Sequence, residues 1–407
     1  MSSQKTQVVI IGAGYAGMIA AMRLAGKTRK QQVEITLINP SELFVERIRL
    51  HQVAAGQTLR QRSIPHLLRG TKISFVQGFV DAINTTQHMI SVNTAESTQQ
   101  IPYDYLVYTA GSMIDMTSIP GIHEHAYTLG VNGDRSAKAL RDQLPIIAAK
   151  HGRLVIVGGG LTGIEAATEL AEAYPDLCVS LVTSGGFGAE LSQKGRAHLH
   201  NVFTQMKIKV MDNVQVKRME SNALMLQNGT AIRFDLCLWT AGLAIPTLAR
   251  ESGLAVNERG QALIDPFMRS VSHPEIYAAG DAAYPVQVPG APIRMACATA
   301  EPMAAHAVDN LVAHLHGGEQ KPFHFAYAFR CISLGRHNGL IQSVAHDDTP
   351  RERIFTGFAA AQFKETICRF AFNAIRIERH LPGIYTWLGR SKANQAVTVI
   401  KEAHGAI

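Results

Sequence analysis

Long apolar runs are missing from this chain. No window of its 407 residues reaches the ~20 apolar positions that a helix needs to cross a bilayer, which argues against a membrane-spanning helix. The earliest apolar run begins at Gln7 and breaks at Gly12, so a secretory leader is not expected and a cytoplasmic location is. Cysteine is scarce. The five residues Cys178, Cys237, Cys297, Cys331 and Cys368 form no C-x-x-C pair and no metal-type spacing, so the expectation is reduced thiols without a disulfide framework or a metal. Charged residues make up only 17% of the chain, with no long run of one sign and no low-complexity tract. The balance is nonetheless basic, with a net charge of +7 and a pI near 9.2. Such an excess suits nucleic acid or an anionic membrane surface. It suits equally a solvated surface with anion-binding pockets, and no nucleic-acid partner is expected.

Hydrophobic residues make up 46% of the chain, and its length accommodates two or three domains with a substantial core. The first organised stretch is Val8-Val9-Ile10-Ile11-Gly12-Ala13-Gly14-Tyr15-Ala16-Gly17. Four β-branched residues make a buried strand, G-x-G-x-x-G follows, and a helix of small and apolar residues runs from Met18 to Gly26. Gly12 permits a tight turn, Gly14 lets the backbone approach a pyrophosphate, and Gly17 lets the helix pack on the strand. Tyr15 and Ala16 complete the loop. The pyrophosphate would lie against free N–H groups at the positive end of the helix dipole. A second strand, Val33 to Ile38, leads to Asn39, where an acidic residue usually holds the adenosine ribose; an amide can still hydrogen-bond a hydroxyl.

The fingerprint recurs at Leu154-Val155-Ile156-Val157-Gly158-Gly159-Gly160-Leu161-Thr162-Gly163. A helix from Ile164 to Ala173 and a strand from Val179 to Thr183 follow. Two such β-α-β units imply two bound dinucleotides, the arrangement expected where a flavin takes hydride from a nicotinamide. The strand at Tyr105 to Tyr108 ends in Thr109-Ala110-Gly111, and the strand at Leu236 to Trp239 ends in Thr240-Ala241-Gly242, so a module repeats about 130 residues apart. Strands from about Ile73 to Ile101 read as a small meander. Tyr277-Ala278-Ala279-Gly280-Asp281 is another strand end, followed by a helix from about Ala296 to His316.

These motifs together resemble the pyridine nucleotide-disulfide oxidoreductases, two-dinucleotide flavoproteins, over residues 7 to about 345. The resemblance implies FAD in the first fold and NADH or NADPH in the second, with Asp281 on the FAD ribityl chain. Residues 40 to 70 hold no cysteine, and the second unit has no C-x-x-C, so a flavin–thiol relay is not expected. Phe44 to Gln52, including Arg47, together with Gly163-Ile164-Glu165, look more like the type II NADH dehydrogenase and apoptosis-inducing-factor-like branch. There hydride passes from NAD(P)H to flavin, and electrons pass on to a quinone or another small acceptor. The resemblance assigns cofactor contacts to Gly12, Gly14, Tyr15, Ala16, Gly17, Asn39 and Arg47. It assigns further contacts to Thr109, Ala110, Gly111, Gly280 and Asp281, and on the nicotinamide side to Gly158, Gly160, Thr162, Gly163, Ser184 and Gly242.

Glu165 is the candidate catalytic residue, placed to position the nicotinamide or relay a proton, with a raised pKa as the expected signature. Thr183-Ser184 stands where an acidic residue would contact the adenosine 2′-hydroxyl. A 2′-phosphate is then tolerable, with Lys194 or Arg196 as its partner. The stretch Cys297 to Pro302 lacks the glutamine pair that flanks the quinone in type II dehydrogenases. Cys297 and Cys331 invite a sulfide:quinone-type reading. A metabolite-specific flavin oxidase or dehydrogenase, and a basic, apoptosis-inducing-factor-like binding protein, are also compatible with these residues.

Near 362–380, Phe363, Ile367, Phe370, Ala374 and Ile377 follow helical spacing among Lys364, Arg369, Arg376 and Arg379. This helix either contacts a membrane peripherally or packs on the body or on a second subunit in a homodimer. The expected class is α/β: two Rossmann-like dinucleotide-binding domains with a small C-terminal α+β region. Residues 1–113 and 255–320 would bind FAD, 114–254 would bind NAD(P), and 321–407 would form the C-terminal region.

Overall fold

The structure is a computed structural model that describes residues 5–131, 133–286 and 293–390. The first fingerprint lies between strand β1 (Thr6–Ile11) and helix α1 (Tyr15–Lys27). Strands β2 (Val33–Asn39), β3 (Ile73–Gln77) and β4 (Tyr105–Tyr108) follow. The second module comprises β5 (Tyr127–Thr128), β6 (Arg153–Val157), α2 (Leu161–Ala173), β7 (Cys178–Val182), β8 (Lys209–Met211) and β9 (Leu236–Trp239). The chain then returns to the first sheet with β10 (Ile276–Ala278) and helix α3 (Cys297–Leu315). It ends in β11 (Phe329–Ser333), β12 (Gly339–Val344), β13 (Pro350–Thr356) and the long helix α4 (Phe358–His380).

Two parallel sheets result, in orders β10-β4-β1-β2-β3 and β5-β9-β6-β7-β8. They are the same sheet built twice, except that the outermost strand comes late in the chain in the first and early in the second. Their central strands read as unbroken apolar runs because helices or other layers cover both faces. In each module a three-stranded antiparallel sheet, Phe79–Asn84 with Met89–Asn93 and Thr98–Pro102, or Val216–Glu220 with Ala223–Leu226 and Ala231–Arg233, precedes the strand ending in Thr-Ala-Gly. The meander expected from Ile73 therefore begins later. Ile73–Gln77 itself joins the parallel sheet beside β2.

The C-terminal elements roof the first module. Arg23 on α1 is fully buried and bonds Asp309 on α3 and Glu378 on α4, each at 2.8 Å. One guanidinium thus ties three helices together, and its charge is tolerable in the core because both carboxylates meet it there. Helix α4 turns a different face to the body than its sequence pattern suggests. Cys368, Ala371, Phe372 and Ile375 are buried, whereas Phe363, Phe370 and Ile377 of the expected apolar stripe are exposed. The rest of that stripe does pack on the body: Ala374 is fully buried, Ile367 is half-buried, and the Phe363 ring meets that of Phe329 edge-on at 5.4 Å.

Candidate functional site

The two glycine turns are built alike. Gly12 has φ +94°, and a Cβ there would lie 2.4 Å from the Thr109 carbonyl oxygen. A Cβ at Gly17 would lie 1.7 Å from the Gly12 carbonyl oxygen, whereas one at Gly14 would meet nothing within 4 Å. Two glycines are therefore demanded by packing, and the third faces open space where a phosphate can approach. The Thr109 hydroxyl staples the turn by donating to the carbonyls of Ile11 (2.7 Å) and Gly12 (3.0 Å). In the second turn Gly158 (φ +124°) abuts Thr240, Gly163 abuts the Gly158 carbonyl, and Gly160 faces open space. Thr240 donates to Val157 at 2.9 Å, as Thr109 does to Ile11 in the first module. No side chain caps α1 or α2, so their first N–H groups are left for an anion.

Around the first turn lies a cavity of about 220 Å³. Gly14, Tyr15, Ala16 and Arg47 line it, as do Thr109, Gly111, Gly280 and Asp281. These residues come from four separate segments, and only the fold brings them together. Asp281 accepts from the Ser112 hydroxyl at 2.6 Å, and Arg47 donates to the Ser112 carbonyl. The Tyr15 hydroxyl is buried with no partner among the described residues, an orphaned donor that a ligand would satisfy. Ala110 is half-buried beside this wall and does not line the cavity. Asn39 is held within the turn: its amide oxygen accepts from Ala13 N–H at 2.9 Å, and its NH2 donates to the Ser41 carbonyl at 2.7 Å.

The second cradle opens onto a cavity of about 480 Å³ that includes Gly158, Gly160, Thr183, Ser184, Gln215 and Gly242. No charged residue among the described residues lines it. Lys194 and Arg196, the expected partners of a 2′-phosphate, lie elsewhere: Lys194 N–H donates to Glu352, and Arg196 donates to the Ala189 carbonyl. The cradles meet at Thr162 and Leu243. Both follow glycine turns of the second module, yet both line the first cavity.

Glu165 departs from expectation. It does not line the first cavity; its carboxylate accepts from Lys364 Nζ and from Ser333 N–H, each at 3.0 Å. Burial opposes its charge, but Lys364, His51 and the Ser333 N–H outweigh that penalty and hold the carboxyl below its usual range. Its pKa is lowered rather than raised because the partner arrives from α4, which the local sequence does not reveal. Next to it, burial pushes Glu169 up to about 7 and His51 down to about 4.

Cys297 lines the cavity, and Cys331 and Cys368 lie close enough to interact with it. Burial pushes Cys297 up to about 12 and Cys368 up to about 11, and it raises Cys331 too. Glu301, one turn after Cys297, is buried and hydrogen-bonded to Tyr385. Desolvation holds its carboxyl well above the usual range, against the lowering effect of the Tyr385 hydrogen bond. Arg23, Ser112, Lys364 and Tyr385 escape sequence reading. The one visible hint is a lysine at position 364 in line with the buried face of an amphipathic helix.

A parallel sheet with a glycine cradle, present twice and joined at one cavity, defines an enzyme that brings two dinucleotides together for redox chemistry. The chain matches the family described as pyridine nucleotide-disulphide oxidoreductase over residues 6–307, and it belongs to that family. It is similar to the type II NADH:quinone oxidoreductase of Haemophilus influenzae, 25% identical, with 82% of this chain and 86% of that one covered. The protein of the same description from Staphylococcus aureus is 24% identical, with 84% and 90% covered. Among solved structures, the sulfide:quinone oxidoreductase of Aquifex aeolicus superposes with TM-score 0.77 at 18% identity, covering 93% of each chain. NDH2 from Plasmodium falciparum in complex with NADH gives 0.77 at 17% identity, covering 93% of this chain and 99% of that one. The protein is an FAD-dependent oxidoreductase with NAD(P)H as its co-substrate. No helix among the described residues is long and apolar enough to cross a membrane.

Proposed function

We propose that the electrons taken from NAD(P)H are delivered to a quinone. The observation that carries this reading is the composition of the shared cavity. Thr162 and Leu243 reach it from the nicotinamide side, while Val45, Ile48, Met295 and Ala300 give it apolar wall suited to a flat, poorly soluble acceptor. The names of the relatives from Haemophilus influenzae and Staphylococcus aureus favour the same acceptor.

FAD, when bound, supplies the hydride-accepting ring. The chain's own residues orient and exclude. The N–H groups at the start of α1 would hold the pyrophosphate, Asp281 and Ser112 would hold the ribityl hydroxyls, and the Tyr15 hydroxyl would gain a partner. At the start of α2 the same backbone device holds NAD(P)H. The cavity around Ser184 has neither a carboxylate to repel a 2′-phosphate nor a cation to attract one, so both cofactors are accepted. Glu165 acts as a positioning residue: with Lys364 it fixes α2 against α4 and so sets where Thr162 stands.

Residues 1–113 and 255–320 form the FAD-binding domain in this reading, and 114–254 form the NAD(P)-binding domain. Residues 321–407 form the C-terminal region, of which 391–407 lie outside the described residues. The exposed Phe363, Phe370 and Ile377 on α4 rest on a membrane surface, where a quinone is dissolved.

The sulfide:quinone-type reading draws on the cysteines beside the cavity. Their burial disfavours the thiolate that sulfur chemistry needs. Steady-state turnover with NAD(P)H and short-chain quinones, ferricyanide, oxygen or sulfide separates these readings. The quinone reading expects quinone to be reduced at least tenfold faster than oxygen and sulfide to leave the flavin oxidised. Turnover with ferricyanide and with no quinone would overturn it.

A further inference from the structure

A cavity of about 530 Å³ lies between α1, the segment 60–69 and α4, away from both dinucleotide cradles. Its walls carry Arg60, Arg62, Arg69, Arg376 and Arg379, and no aspartate or glutamate among the described residues lines it. Two of these guanidiniums are engaged. Arg62 pairs with Glu46 at 3.0 Å and lies 3.7 Å over the Phe372 ring, and Arg379 donates to the carbonyls of Leu67 (3.2 Å) and Arg69. Arg60, Arg69 and Arg376 form no ion pair with a carboxylate among the described residues. Met22, Leu67, Phe372 and Ile375 give the cavity some apolar wall, and Gln61, Ser63, His66 and His380 add polar wall.

Five arginines around one pocket, three of them exposed and without a carboxylate partner among the described residues, make it attractive to an anion. Their forked donors match the oxygens of a phosphate in bidentate pairs, as they do those of a carboxylate. The surroundings bear on the source of that phosphate. Arg376 precedes Ile377, the last member of the exposed row Phe363, Phe370 and Ile377, and the apolar surface continues through exposed Leu381 and Ile384. An exposed apolar row beside an arginine-lined pocket is complementary to a lipid, with phosphate in the pocket and acyl chains along the row.

We propose that this pocket binds the phosphate of an anionic phospholipid. The proposal rests on the peripheral membrane contact inferred above and gives that contact a specific anchor. The neutral-lipid surface is then not enough: an anionic headgroup supplies the selectivity.

The test is co-flotation of the FAD-loaded full-length protein with vesicles of phosphatidylcholine alone or mixed with phosphatidylglycerol. Flavin content and NAD(P)H–ferricyanide turnover serve as controls for folding. The expected result is binding to the mixed vesicles that weakens about thirtyfold in Arg60→Gln/Arg376→Gln, at about tenfold or less per arginine. Phe370→Ser/Ile377→Ser should weaken it as well. Flotation on both compositions regardless of the arginines leaves the membrane contact standing and overturns the phosphate site. No flotation on either overturns both. Arginine-dependent binding of inorganic pyrophosphate without vesicle binding would assign the pocket to a soluble phosphate and overturn the lipid.

Discussion

The two glycine cradles share their turn, their threonine staple and their sheet order, and they differ in what surrounds them. The first is roofed by α3 and α4, bolted through Arg23, and lined by Arg47 and Asp281. The second has no charged lining, and the corresponding face of α2 ends in an ion pair with Lys364 outside its cavity. One architecture thus serves two kinetic needs. A resident cofactor is retained by burial and by many anchors, whereas a co-substrate that must leave each cycle is held mostly by backbone N–H groups.

Equivalent lesions in the two cradles should therefore have unequal outcomes. Gly12→Val places a side chain against the Thr109 carbonyl at positive φ, and the protein is expected to be recovered colourless or not at all. Gly158→Val makes the same clash beside Thr240, yet that protein should stay yellow and reducible by dithionite while losing NAD(P)H-driven reduction at least a hundredfold. Absorbance spectra and stopped-flow traces distinguish the two, and equal flavin loss in both would break the contrast.

Smaller effects sharpen it. Glu165→Gln leaves the Lys364 ammonium buried without its partner, which costs about 3 kcal/mol, measured by urea denaturation. Adding Lys364→Met should restore much of that loss; if Glu165 positions Thr162, slowed flavin reduction recovers with it, whereas a direct chemical role leaves the rate low. Ser184→Asp places a carboxylate at the adenosine end of the second cavity. It should lower kcat/KM for NADPH more than tenfold and leave NADH within about threefold; equal losses would remove Ser184 from that position. Glu169 has a folded pKa of about 7 against 4.5 for a free carboxyl. Its contribution is present below pH 4.5 and is lost as pH rises through about 7, up to about 3 kcal/mol. Glu169→Gln should raise the Tm at pH 8 and converge with the parent near pH 4.5.

Local chemistry made much of this legible in the sequence. The glycine spacings, both Thr-Ala-Gly ends and Gly280-Asp281 each depend on a few neighbouring residues, and the structure gathers Tyr15, Arg47, Asp281 and Thr162 at one cavity. What stayed hidden depends on distant pairs. Lys364 reaches Glu165 from the far end of the chain and inverts the expected direction of its pKa. The second role of Asn39 was hidden as well: its position suggests a ribose contact, and its amide also braces the turn through Ala13 and Ser41. The apolar spacing on α4 announced a helix and caught part of its buried face, Ala374 and Ile367, but it missed the small and charged residues, Ala371 and Lys364, that share the packing.

The most direct measurement is anaerobic mixing of the purified yellow protein with NADH or NADPH, followed by flavin absorbance, in the parent and in Gly158→Val. Complete bleaching of the parent by either nucleotide is predicted, with no bleaching of the variant, which still carries its flavin. A parent that stays colourless after reconstitution with FAD, or a variant that bleaches as fast as the parent, would contradict the two-cradle assignment.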